Sequence, residues 1–262
     1  MDCFSFKYRH RDDEYDDPRR AFLVRALTLG LLGAGGGLAW PARLAAMSDR
    51  PVQLPPGRSI HRLRGEVRIN GVAAQADTRI RPDDDIETGS NSEIVFAVGS
   101  DAFILRENGH LQLAATPLAG APPAAYCASG ESALLSGLRL VSGKLLSVFG
   151  VRKVGQPLGM RTPTATIGIR GTGIYLEAED ERTYVCTCYG TTRLATADAS
   201  PATERITASH HDAPRYILGA GPVERRIRPA PVINHTDMEL VMIEALVGRR
   251  PPFHEPGAEP GY

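Results

Sequence analysis

The sequence has 262 residues, enough for one ordinary domain or two small ones with a sizeable core. Lysine plus arginine equals aspartate plus glutamate at 30 each, so the charge balance does not suggest a nucleic-acid partner. Aromatic residues make up only 6%, whereas 27 glycines and 20 prolines imply many turns. This composition favours a β-rich, loop-rich domain over a helical bundle.

Residues 1–46 have the pattern of a disordered leader followed by an export signal. Residues 1–18 are charged and unpatterned, which is typical of disorder. The pair Arg19-Arg20, followed by Phe-Leu and an apolar run over residues 26–42, resembles a twin-arginine signal. The run is broken by glycines and makes a poor membrane span. We expect export to the periplasm; the alternative is an uncleaved anchor, with membrane contact only through this segment.

Short β-patterned segments then alternate with turn residues over residues 52–218. Within Glu93–Val98, apolar Ile94, Phe96 and Val98 alternate with the other residues, as in a strand with one buried face. Asn108-Gly109 separates two extended segments and predicts a hairpin between them. A strand about every ten residues predicts a mainly β fold, either an antiparallel sandwich or a solenoid-like stack.

Two motifs in this region occur together in a known family. The run TPTATIGIRGTGIYLE (residues 162–177) closely resembles the Thr-Pro…Val-Arg-Gly-Thr core of the FecR domain family. Upstream, DIETGSNS (residues 85–92) resembles the family's Asp-Ile-x-Thr-Gly-x-x-Ser turn, so the resemblance covers residues 65–194. It implies an extracytoplasmic β-rich domain of a bacterial envelope protein. Some members regulate sigma factors, but residues 1–18 are too few for the cytoplasmic part of such a regulator.

Residues 219–262 are predicted to form a tail with one helix over residues 236–247. Thr236 and Glu239 form a capping box at its start, and Gly248 with Pro251 ends it. Its apolar face either packs across the β domain or docks a partner. We favour packing, because most amphipathic helices bury their apolar face at home.

The chemistry of the chain depends on its cysteines and histidines. Cys186 and Cys188, two residues apart on a predicted strand, project to the same face. His210 and His211 follow on the next extended segment; if it pairs antiparallel beside the cysteine strand, one of them faces the thiols. Sulfur plus imidazole favours zinc or copper. The alternatives are a disulfide from either cysteine to Cys127, in the loop of residues 114–136, or buried thiols with surface histidines.

The candidate metal ligands are therefore Cys186, Cys188, His210 and His211. Nothing in the sequence selects a fourth ligand among His61, His110 and Cys127. Gly-x-Ser-x-Gly, His-Glu-x-x-His and phosphate-loop motifs are absent, and no enzyme is predicted. We expect a non-catalytic envelope module that binds a protein or glycan as a scaffold or sensor. The alternative is a metal-binding or redox periplasmic protein.

Overall fold

The computed structural model describes residues 53–115, 135–152 and 158–254. The predicted export segment (residues 1–46) and Cys127 lie outside these ranges, so the interpretations that depend on them stay predictions. In the described ranges, no helix combines the length and the apolar character that a membrane span requires.

Fourteen strands in these ranges form one sheet, and one α-helix packs on it. The first seven strands are β1 (Ile60–Arg64), β2 (Val67–Ile69), β3 (Val72–Ala73), β4 (Asp85–Thr88), β5 (Glu93–Val98), β6 (Asp101–Leu105) and β7 (His110–Ala114). The others are β8 (Gly137–Val148), β9 (Leu158–Arg161), β10 (Ala165–Ala178), β11 (Arg182–Thr196), β12 (Thr203–Ala208), β13 (Arg215–Leu218) and β14 (Ile227–Pro229). The predicted mainly β fold with a single C-terminal helix is thus confirmed.

The long strands β8, β10 and β11 are the centre of the sheet. Its order is β14-β13-β11-β10-β9-β8-β7-β4-β2-β3, with β12 beside β11 and with β1, β5 and β6 joined to β8. Pairing is antiparallel except between β8 and β9. Because β14 pairs with β13, the sheet continues to Pro229, past the domain end predicted at residue 218.

The hairpin predicted at Asn108-Gly109 is wrong, although the turn is present. Asn108 has a φ of 54°, but Gly109 does not have the positive φ that a two-residue hairpin turn also requires at its second position. The flanking strands, β6 and β7, do not pair with each other within the described residues. Instead β7 pairs with the first half of β8 and β6 with its second half. The twelve residues of β8 are long enough to pair with both, so the two short strands lie end to end along it.

The sheet carries an apolar cluster on each face. The first, here called the inner core, gathers side chains from almost every strand and is largely aliphatic. The second, here called the helix-facing cluster, consists of Val95, Ala102, Ile104, Leu146, Val148, Tyr175, Tyr184, Cys186, Cys188, Tyr189, Leu240, Ile243 and Leu246. Alternation along β11 assigns Val185 to the inner core and its neighbours Tyr184 and Cys186 to the helix-facing cluster.

Helix α1 (Asp237–Leu246) covers the helix-facing cluster. Thr236 caps it, accepting a hydrogen bond from the backbone N–H of Glu239, and the capping box predicted from the sequence is present. Leu240, Ile243 and Leu246 are buried against the sheet, so the apolar face of the helix packs within the chain. The start of α1 thereby lies over the cysteines of β11.

Candidate metal centre

A β-bulge in β11 shapes the cysteine pair. Ile174 of β10 lies opposite Thr187, but the preceding residue, Gly173, lies opposite Tyr189. Cys188 is therefore the extra residue of the bulge, a feature that often re-aims side chains next to functional sites. Cys186, Cys188 and Tyr189 all lie in the helix-facing cluster, and both cysteines are free and fully buried.

His211 reaches the cysteines from the turn between β12 and β13. Its backbone N–H donates to the carbonyl of Cys188 at 2.9 Å, and its φ of 55° is uncommon for a residue with a side chain. The Asp212 carboxylate holds the turn by accepting from the backbone N–H groups of Ser209 and His210. As a result Nδ1 of His211 lies 3.4 Å from Sγ of Cys186.

His235 completes the group from the residue before the helix cap. It follows Asn234, which has a φ of 56°. Its ring stacks on Tyr175 with the centroids 4.5 Å apart. Nε2 of His235 lies 3.0 Å from Nδ1 of His211, and Nδ1 lies 2.6 Å from the carbonyl oxygen of Ile233. The ring is thus fixed on one side while its Nε2 faces the cysteine strand.

One ligand atom from each of Cys186, Cys188, His211 and His235 lies within 4.8 Å of all the others. In a tetrahedral zinc site with usual Zn–S and Zn–N distances, neighbouring ligand atoms are about 3.3–3.8 Å apart. The 3.4 Å between Cys186 and His211 already fits this range. The group therefore needs small shifts to hold an ion: the 3.0 Å between the two histidine nitrogens must lengthen, and the separations near 4.8 Å must shorten.

Each histidine has a partner for its other nitrogen, which fixes the nitrogen that faces the centre. Nε2 of His211 lies 3.0 Å from the carboxylate of Asp237, the first residue of α1, so Nδ1 is left for a ligand role. In His235, Nδ1–H donates to the Ile233 carbonyl and leaves Nε2. Metal-binding histidines almost always show such a contact to a carboxylate or carbonyl.

The electrostatics of the group favour a charged thiolate. A hydrogen bond from Cys188 is the main cause that lowers the pKa of Cys186; His211 and His235 add to it, against the effect of burial. Burial raises the pKa of Cys188, and the adjacent Cys186 raises it further. Burial alone would lower the pKa of His211, but Cys186 and Asp237 raise it overall. The negative charges available here suit a cation.

The structure brings three of the four predicted ligand residues together and leaves one outside. His210 lies apart from the cysteines: it is half exposed, stacks on Phe253 at 4.4 Å and bonds to Asp237 at 3.0 Å. Neither His61 on β1 nor His110 on β7 belongs to the group. The fourth member is His235, which the sequence reasoning missed. Its only signal is its position beside the capping box, because nothing local shows where that helix start docks.

Comparison with known proteins does not establish a family. No family model and no curated protein matches this chain. Two crystal structures from Parabacteroides distasonis, at 2.50 and 1.65 Å resolution and both described as a "putative anti-sigma factor", match 56% of this chain at 12% identity and a TM-score of 0.39. The match spans 58% of that protein, less than two thirds of its length. This likeness supports no conclusion about function, so the FecR resemblance still depends on its two motifs.

Proposed function

We propose that this chain is a non-catalytic β module that binds one zinc ion through Cys186, Cys188, His211 and His235. The observation that carries the proposal is the convergence of four ligand atoms from three separate segments within 4.8 Å of one another. The segments are the bulge of β11, the β12–β13 turn and the residue before the cap of α1. Each histidine also has the hydrogen-bond partner that a metal-bound imidazole uses.

The donor set favours zinc over copper. Two thiolates and two imidazoles are a frequent set in closed, four-coordinate structural zinc sites, whereas blue-copper sites use two histidines with one cysteine. Four protein ligands leave no open position for a substrate, as a catalytic zinc ion requires. The side chains of Cys186, His211 and Asp237 contact one another in that sequence, which is also the arrangement that activates a cysteine nucleophile. Because Cys186 is fully buried, we assign it to metal binding.

The metal content of the untagged protein tests this function. We expect one zinc per chain by mass spectrometry of metals, and its loss in Cys186→Ser, Cys188→Ser and His235→Ala. His210→Ala is the matched control, since it removes a neighbouring histidine outside the group and should keep the ion. A disulfide from Cys186 or Cys188 to Cys127, or the absence of metal, would contradict the proposal. Copper in place of zinc would keep the site and correct the ion.

The second part of the proposal places this module in the bacterial envelope, with an envelope protein or glycan as its partner. The support is the twin-arginine-like pattern and the two motifs that resemble the FecR family. Replacing Arg19 and Arg20 by lysine should leave an uncleaved precursor in the cytoplasm. Normal accumulation of this double variant in the periplasm would reject twin-arginine export.

A further inference from the structure

The four ligands of the zinc group belong to two different parts of the fold. Cys186, Cys188 and His211 come from β11 and the adjoining turn. His235 comes from residues 230–254, here called the C-terminal segment, which follow the last strand and include α1. An ion bound to all four therefore joins the segment to the sheet. The other three ligands are all distant from His235 in the sequence.

The beginning of the segment also rests on two tyrosines. The Tyr184 hydroxyl donates to the carbonyl of Pro231 at 2.9 Å and accepts from the N–H of Ile233 at 3.3 Å. Tyr175 provides the surface on which His235 stacks. These contacts orient Nε2 of His235 toward the cysteines.

The helix adds a few aliphatic contacts and several polar ones. Leu240, Ile243 and Leu246 are its fully or almost fully buried apolar residues. Glu239 pairs with Arg106 of the sheet at 2.6 Å, and buried Glu244 accepts a hydrogen bond from the Tyr189 hydroxyl. The inner core is far larger and more uniformly apolar. Local opening follows the smaller set of buried contacts, so the segment should open before the sheet does.

Asp237 strengthens the connection from the segment's side. It is the first residue of α1, and its carboxylate holds Nε2 of His211 at 3.0 Å. The segment thus supplies one ligand, His235, and the group that orients another. Undocking removes both, leaving two cysteines and an unsupported histidine, which bind an ion more weakly.

We propose that zinc occupancy controls the docking of the C-terminal segment: the bound ion holds residues 230–254 on the sheet, and loss of the ion releases them while the sheet stays folded. This inference rests on the zinc site proposed above. Where binding to the open state is negligible, the ion reduces the open population by a factor of one plus the free zinc concentration over the Kd of the docked state, about 100-fold at 100 Kd. The coupling is reciprocal, so docking of the segment in turn raises the affinity for zinc.

Hydrogen exchange of the full chain, followed by mass spectrometry, tests this control. The zinc-loaded protein is compared with the same protein after chelation, with metal content measured in both. Amides of α1 should exchange at least about tenfold faster after chelation, because they sit on the segment that opens. Peptides from β8 and β10 should keep their rates, and added zinc should restore slow exchange in α1.

Two variants separate the ion from the packing. His235→Ala removes the segment's ligand, and His211→Ala removes a ligand that is not on the segment. Both should leave α1 in fast exchange at zinc concentrations that protect the unmodified protein, whereas the His210→Ala control should retain protection. Release by His235→Ala alone would overturn the inference, since stacking on Tyr175 would then hold the segment.

The remaining outcomes distinguish this inference from the proposed function. If one zinc is bound and then removed by chelation while exchange in α1 stays constant, the site stands and the control of docking fails. If β8 and β10 accelerate as much as α1, the ion stabilises the whole fold, which also overturns the inference. If the purified protein holds no zinc and takes up none, the proposed function itself fails.

Discussion

The two faces of the sheet use the same strands for different purposes. The inner core is built from aliphatic side chains with a few phenylalanines, and stacking of Phe96 on Phe103 is typical of its contacts. The helix-facing cluster instead contains three tyrosines and two cysteines, and histidines lie at its edge. Along β11, Val185 faces the inner core and its neighbours Tyr184 and Cys186 face the helix, until the bulge places both Cys188 and Tyr189 on the helix-facing side. A strand can therefore contribute to an apolar core on one face and to a candidate metal-binding group on the other.

The two faces stabilise the fold in different ways. Inner-core side chains stabilise the fold through burial and close packing, so the contribution of each one to stability depends on its size. Helix-facing side chains also need hydrogen-bond partners, because a buried polar group without one costs about 1–3 kcal/mol. Tyr184, Tyr189 and Nδ1 of His235 have such partners. Truncating an apolar side chain therefore tests the inner core, and deleting a single polar atom tests the helix-facing cluster.

The largest effect is expected from Leu176→Ala in the inner core. Leu176 is fully buried on β10, opposite Val185 of β11 and Leu145 of β8. Truncation should lower the free energy of unfolding by about 2–5 kcal/mol through lost burial and a residual cavity. Urea denaturation with and without chelator measures it. A loss that depends on zinc would show that the two faces are not independent.

A smaller loss is expected at Gly190, beside the bulge, where β11 approaches the backbone of β10. Gly190 has a φ of 88°, and a Cβ there would lie 2.5 Å from the backbone oxygen of Gly171. Gly190→Ala should therefore lower the free energy of unfolding by about 2–3 kcal/mol. Gly171, with a φ of 54° and no atom within 4 Å of its Cβ position, is the matched control. Gly171→Ala should lose about 1 kcal/mol, from backbone strain alone.

The comparison of the two glycine variants tests whether the close approach of β11 to β10 limits this position. Equal losses at Gly171 and Gly190 would mean that the close approach of the two backbones does not limit this part of β11. The same denaturation curves also test the expectation that Gly171→Val loses at least about 1 kcal/mol, since valine adds a branched side chain to the same strained backbone.

The helix-facing cluster is tested by removing one polar atom. Tyr184→Phe deletes the hydroxyl that joins Pro231 and Ile233, and should lower the free energy of unfolding by about 1 kcal/mol. Tyr216→Phe is the control: its ring lies 5.5 Å from that of Tyr184, and its hydroxyl makes no hydrogen bond within the described part of the chain. A greater loss in Tyr216→Phe would contradict the assigned contacts.

The sequence predicts the local features of both faces but not how they meet. Alternation in Glu93–Val98 and the capping box at Thr236 predict a strand and a helix start, and the structure contains both. His235 lies 47 residues after Cys188 in the sequence. It could not be predicted, because its place in the group depends on where α1 docks. The pairing of β6 and β7 with β8 is likewise decided by strand lengths far apart in the chain. Tertiary packing, not local pattern, brings the fourth candidate ligand to the group.

The smallest effect is expected at a second His–carboxylate group, on the surface. Asp85, Glu87 and His110 on β4 and β7 also offer ligand atoms within 4.8 Å of one another. This group has no sulfur and is partly exposed, and Nε2 of His110 already bonds to Asp85 at 2.9 Å. His110→Ala should leave the zinc content unchanged and alter the free energy of unfolding by less than about 0.5 kcal/mol near neutral pH.

The acid range makes that small effect measurable. Burial alone would raise the pKa of Asp85, but hydrogen bonds from His110 and Gln112 bring it below its usual 3.8. A carboxyl with a lowered pKa stabilises the fold above 3.8, and this contribution is lost as the pH falls through the folded value. His110→Ala should therefore make unfolding less dependent on pH below 3.8, as urea denaturation at several acid pH values can measure. Loss of zinc in this variant, with Cys186 and Cys188 intact, would move the metal site to this surface.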